Sequence, residues 1–219
     1  MKADVMELPL FPLNAVLFPG QTLPLHIFEP RYRIMIQRCI EQGQPFGIVL
    51  AQDDDDSTPH LIGTAARITQ VERLPDGRMN ILTVGVERFV LQNIHEGEDE
   101  YLIGDAIFYP FKDDELIPNP LVSLVIARLR RYLALLADMS GSRFRFEQFP
   151  EDATAVAVFA AIALQLPLIQ KQEMLAMEGI TDLLQHEAEL LKSELLSLTI
   201  MASSVRPSED EDSLIFSKN

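Results

Sequence analysis

The stretch Leu23–Arg33, LPLHIFEPRYR, decides how the N-terminal half of this chain is built. Leu23 to Phe28 alternates enough to form a short strand, and Glu29-Pro30 then opens a helix, because the first turn has no use for the N–H that proline lacks. Tyr32, Met35, Ile36, Cys39 and Ile40 recur at helical spacing on one face, and Gly43 supplies the stop. The same stretch holds His26, Glu29 and Tyr32, the residue types of a base, an acid and an orienter. A strand running into a helix accounts for them without chemistry. His26 then points off a strand face. Glu29 sits at a helix N-terminus, where negative charge is favoured by about 0.3–1 kcal/mol. Arg31 and Arg33 are solvated, and Tyr32 packs beneath. No nucleophile or oxyanion donor is suggested nearby, so binding is the better expectation than catalysis.

Working outward, Leu8 to Phe18 is apolar but carries Pro9 and Pro12, followed by Pro19-Gly20. Proline cannot donate a ladder hydrogen bond, so this segment is expected at a sheet edge or as an irregular strand. Phe46 to Ala51 reads as a compact apolar strand, and QDDDDSTPH after it as a loop. Leu61–Leu74 and Met79–Gln92 flank Asp76-Gly77, a hairpin signal. Val84 and Val86 share one face while Phe89 and Leu91 take the opposite phase. A bulge near Glu87-Arg88 is expected to bring all four inside. Tyr101 to Phe111 is a further strand, and short strands with a bulge suggest a closed or half-closed barrel.

Beyond the breaker Ile117–Pro120 the pattern becomes helical. Leu121–Ala137 carries Leu129, Leu133 and Leu136 on one stripe. Asp152 is placed to cap an Ala-rich helix that runs to Leu166, where Pro167 ends it. Gln170–Met177 forms a short helix and Thr181–Ser203 the longest. In that last helix Leu184, Ala188, Leu191, Leu195, Leu198 and Ala202 step by fours and threes, as a packing seam does. The expected division is a β domain over 1–116, a helical bundle over 117–203 and an acidic, mobile tail over 204–219.

Charge narrows the function. The chain has 18 Lys and Arg against 33 Asp and Glu, a formal net charge of −15, which disfavours binding to nucleic-acid backbones. Cys39 is the single cysteine, so no internal disulfide forms and a cytoplasmic setting is expected. No signal-peptide pattern opens the chain. The uncharged run Ala153–Gln170 contains Gln165 and Pro167 and falls short of a hydrocarbon core about 30 Å thick, so no membrane span is expected.

Three blocks carry a family resemblance: LPLFPLNAVLFPG from Leu8, LPLHIFEPRYR from Leu23, and IGTAARITQVERLPDGRMNILTVGVERFVL from Ile62. In this order they resemble the N-terminal substrate-recognition domain of the Lon ATP-dependent protease, whose stand-alone bacterial versions show LHIFEPRYR in the same place. FPEDATAVAVFAAIALQLPLIQKQEMLAMEGITDLLQHEAELLKSEL from Phe149 resembles the helical part that follows in Lon. The resemblance implies an α+β fold, a PUA-like β pseudo-barrel of Lon N-terminal type followed by a C-terminal helical bundle. It also implies a protein- and peptide-recognition role. Lon's ATPase and Ser-Lys peptidase are not matched. No glycine here is followed by lysine, so a Walker-type loop is absent, and neither Ser-x-x-Lys nor Gly-x-Ser-x-Gly occurs.

The expectation is therefore a non-enzymatic module that binds unfolded or exposed protein segments, with a separate protease or chaperone as a further partner. Phe11, Leu17, Phe18, His26, Phe28, Glu29, Arg31 and Tyr32 are the residues singled out for peptide binding. Exposed apolar side chains such as Phe11, Leu17 and Phe18 on a proline-bearing edge would accept an extended peptide by strand addition; the alternative is that these three are simply core. A groove between barrel and bundle is a second location. No cofactor and no metal are expected. Asp53–Asp56 lacks the Gly and Glu of an EF-hand loop, the four His are scattered, and Cys39 has no partner base. RNA binding by a PUA-like barrel stays open as the alternative, on fold analogy alone.

Overall fold

The computed structural model describes residues 5–52, 58–112, 117–141 and 149–204. The run Asp53–Asp56 and the tail beyond Ser204 therefore lie outside the described residues. The first half supplies β1 (Val5–Leu13), β2 (Thr22–Ile27), α1 (Pro30–Gln42), β3 (Phe46–Leu50), β4 (Ile62–Arg73), β5 (Met79–Glu96) and β6 (Leu102–Phe108). The mixed sheet runs β2-β5-β4-β3-β1-β6, with β5 also paired to β6. Among the described strands β1 and β3 pair in parallel and the other pairs are antiparallel. Strand β5 is 18 residues long. Its first part pairs with β2 and its second with β6, while β4 follows it throughout. The pairings β5–β4–β3–β1–β6–β5 thus return on themselves, and β2 stands outside that circuit.

Each circuit strand contributes to one cluster: Leu8 and Leu10, Val49, Ala65, Phe89 and Leu91, and Ala106. Glycines make room for it. A Cβ on Gly47 or Gly63 would stand 2.7 or 2.8 Å from the Phe89 ring. Outside the circuit, α1 lays Tyr32, Met35, Ile36 and Cys39 onto Phe11, Phe46, Ile48, Ala66 and Ile81. The helix begins at Pro30 and stops at Gly43, whose φ of 64° is the left-handed cap. The hairpin between β4 and β5 turns at Gly77, φ 82°, and closes with Leu74 N–H donating to Arg78 O at 2.9 Å.

The structure corrects two strand expectations. Strand β1 is not a sheet edge: Val5–Pro9 pairs with β6 and Leu10–Leu13 with β3. Each residue of β1 is matched on one flank only, so both prolines are tolerated although the strand as a whole has two neighbours. The bulge in β5 falls at Val86, between the pairs Ala66↔Gly85 and Ala65↔Glu87. It does not gather four side chains inside. It switches Met79 and Ile81 to the α1 face while Phe89 and Leu91 fill the circuit, and Val84 and Val86 stay half-buried.

The second half holds α2 (Asn119–Ser140), α3 (Ala153–Ala163), α4 (Leu168–Ala176) and α5 (Ile180–Ser204). Asp152 caps α3, its Oδ2 accepting from Ala155 N–H at 2.8 Å, a contact of about 1 kcal/mol. Helix α3 ends at Ala163 rather than Leu166. Leu164 is already extended, ahead of the Leu166-Pro167 step that excludes helix before a proline. Leu184, Ala188, Leu191, Leu195 and Leu198 of α5 are buried against Val125, Leu129 and Tyr132 of α2 and the alanines of α3. Val16, Phe18 and Leu50, from the first half, belong to the same cluster.

Polar contacts fasten the helices to the sheet. Arg88 of β5 donates through Nη1 to the carbonyls of Leu175 and Met177, at 2.5 and 2.7 Å. Gln172 Nε2 donates to Ile62 O at 2.9 Å. Lys112 bridges to Gly179, its N–H donating to Glu178 O at 2.8 Å.

Candidate peptide-binding surface

Strand β2 is the free edge of the sheet. Its inner flank pairs with β5 from Thr22↔Val84 to Ile27↔Met79, and no described strand takes its outer flank. Its side chains alternate: Thr22, Pro24 and His26 are exposed, while Leu23 and Leu25 are half-buried. An unpaired flank exposes backbone N–H and C=O groups that another extended chain can satisfy. Pro24 removes one donor from the strand, which limits indiscriminate edge-to-edge pairing.

Where β2 meets α1 the surface sinks into a hollow of about 570 Å³ lined by Phe11, Pro12, Leu13, Asn14, Leu25, His26, Phe28, Glu29, Tyr32 and Ala51. Its floor is aromatic: Phe11 and Tyr32 ring centroids lie 4.2 Å apart. Phe28 is 59% exposed and stacks on His26, with centroids 6.1 Å apart. At the rim Arg31 Nε donates to Glu29 Oε2 at 3.0 Å, and the Arg31 guanidinium lies 4.5 Å above the Tyr32 ring. Glu29 occupies the N-cap position of α1 but makes no capping hydrogen bond; its carboxylate turns to Arg31 instead.

Of the residues singled out from sequence, Phe11, His26, Phe28, Glu29 and Tyr32 come together around this hollow, with Arg31 at its edge. Leu17 and Phe18 do not. Leu17 lies beneath α1 and Phe18 in the helical core, at 1% and 0% exposure. Phe11, at 7%, forms floor rather than surface. Of the two readings of these three, the structure has core rather than exposed edge, which corrects their place among the peptide-binding residues: an apolar run between two packed layers serves both cores. Leu13, Leu25 and Ala51 were missed, because each is an ordinary apolar residue in its own segment and only the tertiary fold brings them to the rim.

His26, Glu29 and Tyr32 do not assemble as an acid–base set. His26 Nδ1 faces Asn80 Oδ1 at 2.7 Å, and Arg78 Nη1 approaches its Nε2 at 3.4 Å. Asn80 Nδ2 donates in turn to Glu72 Oε2 at 2.9 Å. The imidazole is thus held in a cross-strand network on β2, β4 and β5, while Glu29 belongs to Arg31. Burial pushes the Cys39 thiol up to about 11, away from the thiolate that nucleophilic chemistry needs. Among the described residues no group of three or more His, Cys, Asp or Glu is placed to hold a metal ion, and no helix is long and apolar enough to cross a membrane.

Residues 7–193 match the family model of the ATP-dependent protease La (LON) substrate-binding domain. This chain belongs to the Lon substrate-binding domain family. Lon protease 1 of Hydrogenovibrio crunogenus is 26% identical over 202 residues, which are 89% of this chain but 24% of that protein. Lon protease of Brevibacillus choshinensis is 26% identical over 197 residues, 86% of this chain and 25% of that protein. The chain therefore matches only that small share of the Lon proteases. The crystal structure of a Lon N-terminal domain protein from Xanthomonas campestris superposes with a TM-score of 0.64 at 28% identity, covering 83% of this chain and 96% of that one. The N-terminal domain of Mycobacterium avium complex Lon protease gives 0.62 at 19%, covering 85% and 98%. The matched region is the Lon substrate-binding domain, not the ATPase or peptidase.

Proposed function

We propose that this Lon-type domain is a non-enzymatic recognition module that captures unfolded or exposed segments of other proteins along β2. The strand adds a backbone partner, and the hollow beside it takes every second side chain of the guest. The observation that carries this reading is the free flank of β2 opening directly onto an aromatic-floored hollow of about 570 Å³. We read the closed circuit of pairings as a PUA-like pseudo-barrel over residues 1–116, and the helices of 117–203 as the bundle that braces it. A guest held this way is ready for a separate ATPase, protease or chaperone in the cytoplasm.

The test is binding of a labelled, reduced and carboxymethylated model protein. Phe28→Ala removes an exposed ring at the hollow's lip without touching the core. Burial of one phenyl ring against a guest is worth about 1.5–3 kcal/mol, so affinity should fall roughly ten- to hundredfold. Leu25→Lys should have a comparable effect. No complex with the wild-type protein, or unchanged affinity in both variants, would defeat the proposal. So would cleavage of the guest by a contaminant-free preparation. An RNA oligonucleotide is the competing probe: tight capture that weakens steeply with salt would put RNA in place of a peptide.

A further inference from the structure

A second hollow, of about 680 Å³, is walled by α1, from Pro30 to Glu41, and by the β4–β5 hairpin. It differs in character from the first. Arg33, Arg38 and Arg73 line it, with Ile34 and Met79 among its apolar residues, in a protein whose net charge is −15. Two of these cations are already engaged. Arg38 pairs with Asp99 and donates to the Tyr101 hydroxyl at 3.0 Å, and Arg73 Nη1 donates to Gln37 Oε1 at 2.8 Å. The Arg33 side chain has neither hydrogen bond nor ion pair among the described residues, its backbone N–H donating to Glu29 O at 2.9 Å. Its position is set against the hairpin turn. The guanidinium lies against the hairpin turn so closely that a Cβ at Gly77 would stand 2.0 Å from Arg33 Nη2. Glycine at that turn serves its φ of 82° and admits the arginine together.

We infer that this hollow is a carboxylate subsite that takes one aspartate or glutamate side chain, flanked by apolar residues, from a bound polypeptide, with Arg33 as its anchor. A planar guanidinium receives a carboxylate through two parallel hydrogen bonds. Ile34, 41% exposed, offers apolar surface to the neighbouring side chain. The charge balance selects a single carboxylate over richer anions. Glu41 lines the same hollow and Asp99 holds Arg38, so a phosphate dianion or a nucleic-acid strand meets two carboxylates and an acidic molecule around them. The subsite is separate from the β2 edge. Its probe is too short to need that edge, and its variants leave the edge intact.

The experiment is fluorescence polarisation with a labelled pentapeptide, Ser-Leu-Glu-Leu-Ser, capped at both ends, and its glutamine counterpart. The glutamate peptide should bind weakly at low salt, and the glutamine peptide about tenfold more weakly, the loss expected for one charge-assisted pair. Arg33→Leu should cost the glutamate peptide the same factor and leave the glutamine peptide unchanged. Phe28→Ala should alter neither, so failure here and failure of the β2 reading are read separately. Thermal melts check that Arg33→Leu folds, and Arg33→Lys, which keeps the charge but loses the fork, should fall between. Equal binding of the two peptides, no binding of either, indifference to Arg33→Leu, or displacement by inorganic phosphate or a short RNA at concentrations below the peptide's own would each overturn the inference.

Discussion

The junction between sheet and helices and the core of the helical half each bury one ionisable side chain, and they do so on opposite terms. At the junction Arg88 is 1% exposed. It has the carbonyls of Leu175 and Met177 as acceptors, and the rings of Phe111 and Tyr109 lie 3.3 and 4.9 Å from its guanidinium carbon. Burial lowers it to about 10, with Tyr109 and Glu178 pulling the other way, so it remains a cation at neutral pH. In the helical half Glu187 is 0% exposed, and neither carboxylate oxygen has a hydrogen-bond partner among the described residues. Burial raises it well above the usual carboxylate range. One buried group is compensated through Nη1 and its two rings, although its Nε and Nη2 have no hydrogen-bond partner among the described residues, and it joins two layers; the other has neither oxygen bonded among them. A buried charge supports the fold only through what it touches.

Removing the compensated group should have the largest effect. Arg88→Ala strands one buried carbonyl, of Leu175, and one half-buried, of Met177, at the end of α4 and opens a void under Phe111. Each stranded acceptor costs about 1–3 kcal/mol, and the void adds to that. The expected loss is about 3–5 kcal/mol in urea denaturation. Arg88→Met keeps the stem beneath the ring and should lose less. Equal losses would mean that the packing of the stem contributes nothing, and an unchanged Arg88→Met would mean that the hydrogen bonds contribute nothing and packing alone joins the layers.

Removing the uncompensated group should act in the opposite direction. Glu187→Leu replaces an unpartnered polar side chain with an apolar one of similar size and should stabilise by about 1–3 kcal/mol. The pH dependence carries the same information. Because the folded-state value is raised, the folded protein keeps this proton at pH values where the unfolded chain has released it. The unfolded state then binds fewer protons, so stability falls as pH rises. This loss begins near the unfolded value of about 4.3 and continues up to the raised folded value. Glu187 contributes a slope of at most about 1.4 kcal/mol per pH unit in that window. Melts of wild type and Glu187→Leu should coincide most nearly at the acid end and diverge toward neutral pH. A constant difference across that range would mean that Glu187 is solvated in the folded protein.

What sequence reveals of these regions follows how local each cause is. Helix α1 was legible because Pro30, its apolar face and Gly43 are successive in the chain, and the β4–β5 hairpin because Asp76-Gly77 stands between its strands. The α3 cap at Asp152 and the α5 seam were legible for the same reason. Prolines in β1 marked a flank without a partner. They could not show that the strand divides its pairing between β3 and β6, since those partners arrive only at Gly47 and Ile103. The contiguous part of the hollow between β2 and α1, His26 to Tyr32, was readable, while Leu13 and Ala51 come from other strand ends. Arg88 was visible only as a charge beside a bulge. Its acceptors lie 87 and 89 residues further on, and nothing near Leu175 or Met177 announces them. Glu187 resembled one of the polar residues of α5 off the seam, and its burial depends on how the other helices pack.

The smallest expected effect sharpens the comparison from the exposed side of the same junction. Lys112 Nζ and Glu178 Oε2 are 2.5 Å apart, with side chains 66% and 57% exposed. Each is shifted toward its charged form, chiefly by their mutual hydrogen bond. Geometrically this pair looks as strong as the Arg88 contacts, but water competes for both partners and salt screens them. Lys112 contributes to the junction through its backbone instead: its N–H donates to Glu178 O at 2.8 Å and its carbonyl accepts from Ile180 N–H at 3.3 Å. Lys112→Ala keeps both of those bonds and removes only the ion pair. Its denaturation midpoint at physiological ionic strength should match wild type within measurement scatter, and Lys112→Pro, which deletes the N–H, should lower it clearly. If Lys112→Ala lowered the midpoint as far as Arg88→Ala does, burial would not be what separates the two contacts, and the distinction between compensated interior charge and solvated surface charge would fail at this junction.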